Sequence, residues 1–148
     1  MIVIDFSGLE ILTASAVRTG LFPVLDELNN CCKHAVLIGL NEAMEDEVHL
    51  AAEAGKRALA SATLNDGLLC NGHVLGVLDD KLRETFEYVV ALGEADAKAV
   101  SQRSGDHTVV TVWNNRLTAL QSLGLLTERK VGRTKLYRPI LKGMTYGR

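Results

Sequence analysis

Four side chains of the kind that ligate soft metals, Cys31, Cys32, Cys70 and His73, occur in the chain, but their spacing makes no pair of C-x-x-C knuckles. A free cysteine in such a setting is commonly a small buried apolar group, so no metal site is predicted. Three cysteines are an odd number, and adjacent Cys31 and Cys32 can hardly bridge to each other without strain, which argues against a disulfide framework. The chain has no G-x-G-x-x-G, Walker loop, G-x-S-x-G or H-E-x-x-H. No enzymatic activity and no cofactor are expected. His49, behind the acidic run Glu45-Asp46-Glu47, reads as a solvated helix residue. The chemistry that remains is recognition. Asn114 and Asn115 are of a type that pairs bidentately with adenine, Thr108 and Thr111 are candidate outward positions beside them, and Arg116 can reach phosphate or guanine. Tyr137 and Trp113 read as packing residues, although Tyr137 could also touch phosphate.

These residues need a scaffold with separated duties, and the charge distribution supplies one. Met1 to Leu78 carries four Lys or Arg against ten Asp or Glu, a balance of −6; from Asp79 onward there are twelve against eight, a balance of +4. Seven of those twelve cations lie between Arg129 and Arg148. A local cationic run suits phosphate contact, while the acidic half should avoid a nucleic-acid backbone.

The hydrophobic pattern predicts strand, helix, strand, helix in the first half: Ile2 to Phe6, Ala14 to Asn30, His34 to Leu40 and Glu42 to Ala60. Pro23 should bring a kink or an irregular turn. This order implies a small parallel α/β layer. Leu68 to Leu78, with Cys70-Asn71-Gly72-His73 between apolar flanks, reads as a hairpin or short edge strands. Beyond a junction near Leu78 to Lys81, helices are predicted over Lys81 to Leu92, Ala95 to Gln102 and Thr108 to Ser122. The last has Val109, Val112 or Trp113, Leu117 and Leu120 inward. Leu125 to Arg129 and Lys135 to Pro139 are strand-like, joined across Val131-Gly132-Arg133.

The stretch from Leu123 to Arg138 resembles the helix end and β-wing of winged-helix regulators of the ArsR and MarR type, on Leu-Gly-Leu-Leu, a basic strand, a Gly-Arg turn and a strand bearing Lys-x-Tyr. The resemblance implies a winged helix-turn-helix domain over residues 79–148 whose wing residues Arg129, Lys130, Arg133 and Lys135 lie against double-stranded DNA. Val3 to Ala16 looks like the strand, loop and helix of STAS and STAS-like domains. That implies an α/β domain over residues 1–78, a partner, signal or dimer surface, and Ser15 as the matching phosphorylation position. Physically, Thr13 or Ser15 also makes a sound helix N-cap.

The expected fold is therefore a small STAS-like α/β sheet with helices plus a winged helix-turn-helix domain. The expected function is a bacterial-type, homodimeric DNA-binding transcription regulator. The other reading is an adaptor in a kinase-controlled, stress or defence complex, with a winged helix that contacts protein. No apolar run reaches the length of a membrane span and the start lacks a basic leader, so a cytoplasmic location is expected.

Overall fold

The computed structural model describes residues 1–147. Four strands of the first half and one from the tail build a mixed sheet in the order β1-β2-β3-β4-β7. Here β1 is Ile2–Asp5, β2 Ala35–Ile38, β3 Ala58–Asn65, β4 Leu68–Gly76 and β7 Thr145–Tyr146. The first three strands are parallel, β4 runs antiparallel to β3, and β7 is parallel to β4. The helical stretch between β1 and β2 comprises α1 (Ala14–Ala16), a π-helical turn over Val17–Leu21, and α2 (Phe22–Asn30). Pro23 lies in the first turn of α2, and the π turn just before it is the irregularity that proline imposes.

Helix α3 (Glu42–Ala54) starts at Asn41, whose Oδ1 accepts the Met44 N–H at 2.9 Å. It stops short of the predicted Ala60. Gly55 ends it, Lys56 turns with φ 51°, and Ala58 enters β3. The alanines of 58–62 are good helix formers, yet all are at most 5% exposed between two packed faces, so burial overrides propensity. The hairpin turn also differs from expectation. Asp66-Gly67, with φ 48° and 76°, joins β3 to β4 as an Asp-Gly pair commonly does. Asn71-Gly72 is instead a β-bulge: Ser61 faces His73 and Thr63 faces Cys70, so two residues of β4 oppose Ala62 alone.

One face of the sheet packs Leu37, Leu59 and Leu75 against Val17, Phe22 and Met44 of the helices. The other face contributes Val36, Ala60 and Val74 to a cluster that continues into Phe86, Trp113, Leu117, Leu125 and Met144. One hydrophobic core thus runs across the Leu78–Asp79 junction. The tail crosses it again: β7 pairs with β4, and Tyr146 Oη accepts the Leu78 N–H at 3.2 Å.

The second half consists of α4 (Asp80–Leu92), α5 (Ala97–Ser104), α6 (Val110–Ser122) and a hairpin of β5 (Leu126–Val131) and β6 (Thr134–Pro139). Asp79 caps α4 and Asp96 caps α5, accepting the Leu82 and Ala99 N–H groups at 2.9 and 2.7 Å. Ala95 lies outside the helix predicted for it and exchanges two backbone hydrogen bonds of 2.9 Å with Tyr137 of β6. Val109, predicted inward, is 67% exposed because α6 begins one residue later; of the pair Val112 and Trp113, Trp113 is the buried one. Among the described residues no helix is long and apolar enough to cross a membrane.

Candidate nucleic-acid interface

Where α5 begins, α6 and the hairpin leave a cleft of about 380 Å³ between them. The Ala95–Tyr137 bridge sets this geometry by fixing the start of α5 against β6. Val110, Asn114 and Thr118, spaced by four, present one stripe of α6 to the cleft; Lys98 enters from α5, and Arg133 and Lys135 from the hairpin. Three cations therefore face a helix stripe carrying an asparagine. Asp96 also lines the cleft, beside its capping bond to Ala99.

The predicted recognition residues divide into two groups. Asn114, Arg133 and Lys135 converge on the cleft. Thr111 and Asn115 are exposed on the neighbouring side of α6, and Lys130 is exposed on β5. Thr108 precedes the helix; its hydroxyl donates to Asp106 at 2.5 Å, which holds that carboxyl below its ordinary range. Arg116 lies back over the Trp113 ring, 4.6 Å from its centroid, rather than extending from the helix. Arg129 pairs with Glu94, and Lys135 Nζ lies 3.3 Å from Glu128 Oε2. Lys98 and Thr118 complete the cleft and were not anticipated. The Ala95–Tyr137 pairing that brings α5 to the hairpin spans a long stretch of sequence, and no local pattern announces it.

The N-terminal candidates behave differently. Thr13 is the cap: its Oγ1 accepts the Ala16 N–H at 3.2 Å, and Glu47 Oε2 accepts the Ala14 N–H at 2.6 Å. Ser15, two residues after Thr13, is exposed. His49 is half-buried rather than solvated, with Nδ1 accepting the Gly76 N–H at 3.0 Å. Cys31 and Cys32 are exposed after α2, whereas Cys70 Sγ sits 3.2 Å from Thr63 Oγ1 on the hairpin. Among the described residues no group of three or more His, Cys, Asp or Glu is placed to hold a metal.

A second polar cluster joins α3 to the sheet. Ser61 Oγ donates to Glu45 Oε1 at 3.3 Å, and His73 Nε2 lies 3.1 Å from the same oxygen. The hydroxyl thus meets the carboxylate rather than the imidazole, and Ser61 is 1% exposed. This is not the order of a serine nucleophile activated by a histidine base. Comparison with protein-family profiles, curated proteins and solved structures finds no match to the chain.

Proposed function

We propose that the protein is a bacterial-type DNA-binding transcription regulator acting as a homodimer in the cytoplasm, with a STAS-like α/β part and a winged helix-turn-helix part. The observation that carries this reading is the shared opening of Asn114 on α6 and of Arg133 and Lys135 on the hairpin. A side chain suited to an adenine edge and cations suited to phosphates then approach one duplex from one side. Helix α4, the one-residue bridge at Ala95, helices α5 and α6 and then a hairpin, in that order, support the winged-helix resemblance. Parallel β1, β2 and β3 with helices between them support the STAS-like one. A single α6 covers few base pairs, so two copies on a two-fold operator are expected.

A second reading, an adaptor whose winged helix contacts protein, is favoured by two observations. Val109 and Val110 at the start of α6 are 67% and 44% exposed, and Arg129 and Lys135 already have acidic partners. A salt titration of binding to duplex DNA separates the readings. The regulator binds at low salt, and Arg133→Ala with Lys135→Ala flattens the slope of log K against log salt by about 0.9 for each phosphate that the wing no longer neutralises. Absence of duplex binding at low salt overturns the regulator reading in favour of the adaptor.

A further inference from the structure

Where the two halves of the chain meet there is a second, smaller cavity of about 60 Å³. Leu25 and Leu28 of α2, Leu37 of β2, Leu59 of β3 and Leu123 after α6 give it an apolar wall. Ala35, Ala58 and Ala60 also border it, and their short side chains leave the space open. Roughly 10–15 Å³ suffices for one water, so the cavity takes about four groups of that size.

The polar side chains on the lining are Asn29, Lys33 and Arg57, none of them acidic. Arg57 is already committed: its two terminal nitrogens donate to the Asp26 carboxylate at 2.8 and 2.9 Å, and its guanidinium lies over the Phe22 ring. Lys33 is exposed and lines the cavity, which makes it a cationic residue of the rim, and Asn29 adds an amide to the lining. A short hydrocarbon body with one negative end matches this distribution of groups.

We propose that the cavity binds a short-chain monocarboxylate, its hydrocarbon part among the leucines and its carboxylate at Lys33 and Asn29. Such a ligand touches Leu123 and Gly124, the turn that ends α6 immediately before the hairpin. If the regulator reading holds, a metabolic signal enters here; binding itself does not depend on that reading.

The test is a titration of the full chain with sodium butyrate, followed by two-dimensional amide NMR in the absence of DNA. Expected are saturable shifts centred on Leu59, Leu123 and Gly124, with a Kd on the order of millimolar for so small a ligand. Butan-1-ol and inorganic phosphate should each bind at least about tenfold more weakly, since each lacks one half of the match. Lys33→Gln, at an exposed position, should weaken butyrate about tenfold, and Ala58→Leu should abolish the shifts by filling the space. The proposal is overturned by the absence of saturable shifts, by shifts centred elsewhere, by equal binding of butan-1-ol or phosphate, or by unchanged affinity in Lys33→Gln. The lysine variant keeps the test decisive if Ala58→Leu fails to fold. Duplex binding is measured separately, so failure of one idea does not imply failure of the other.

Discussion

Arg129 and Glu94 form a two-point ion pair that ties β5 to the loop before α5, with Nε 2.7 Å from Oε2 and Nη2 2.5 Å from Oε1. The hydrogen bonds hold the Glu94 carboxyl below its ordinary pKa and raise that of the guanidinium. An arginine assigned to phosphate on sequence grounds is thus neutralised within the fold. Water screens so exposed a pair, and it contributes little to stability.

If the chain binds duplex DNA as proposed, Glu94→Gln should release a cation for it with little change in folding. Duplex affinity at fixed salt is expected to rise, and the slope of log K against log salt to steepen by about 0.9 for one further phosphate neutralised. A fall in affinity would mean that the pair positions the hairpin and that Arg129 itself does not reach DNA. Fluorescence anisotropy over a salt series measures both quantities.

The two hydroxyls at the start of α1 should separate cleanly. Thr13 Oγ1 accepts the Ala16 N–H, so Thr13→Ala is expected to cost about 1 kcal/mol, the usual loss for an N-cap. Ser15 is exposed, and Ser15→Ala should lie within about 0.5 kcal/mol of the parent. Urea unfolding of both variants, read from the single Trp113, supplies the comparison. The Glu47 carboxylate already sits on the Ala14 N–H, where the helix end would otherwise welcome an anion. A phosphate on Ser15 would have to share that end with it.

Elements with strong local signals were legible in the sequence: α4 between Asp79 and Gly93, the β5–β6 hairpin around Gly132, and the parallel pairing of β1 and β2. What misled was context. The alanines of β3 look helical until the two layers that bury them are known, and Asn71-Gly72 looks like a turn until Asp66-Gly67 takes that role. The cleft was half legible. Asn114, Arg133 and Lys135 could be named from residue type and spacing, but Lys98 joins them only through the Ala95–Tyr137 bridge. The diversion of Arg116 onto Trp113 and of Arg129 onto Glu94 likewise depends on side chains that meet only after folding.

Two glycines with positive φ should respond very differently to a methyl group. At Gly76, φ 92°, a Cβ would lie 2.2 Å from the Arg57 carbonyl oxygen and 2.8 Å from Ala52 Cβ, and the same residue donates its N–H to His49. Backbone strain and collision together should make Gly76→Ala cost about 2–5 kcal/mol. Gly105, φ 66°, has nothing within 4 Å of the added atom, so Gly105→Ala should cost only the roughly 1–2 kcal/mol of the left-handed conformation. Equal urea midpoints for the two variants would contradict the close packing of Gly76 against the chain after α3.

Acidification should weaken the fold through His34. Its Nδ1 is buried without a hydrogen-bond partner among the described residues, and burial lowers the imidazole pKa below its ordinary value of about 6.5. In the unfolded chain the ring takes a proton as pH falls through about 6.5, whereas the folded chain takes it only at lower pH. The unfolded state therefore binds more protons in that window. The stability present above pH 6.5 is lost on descending through it, and no more is lost from this group below the folded pKa. Carboxyls whose pKa values are lowered, such as Asp26 and Asp106, act in the same direction but only at more acidic pH. Urea midpoints should thus fall between pH 8 and pH 5.5 in the parent, and fall less in His34→Gln, which has no ring to protonate. An identical decline in both proteins would place the acid sensitivity elsewhere and remove His34 as its source.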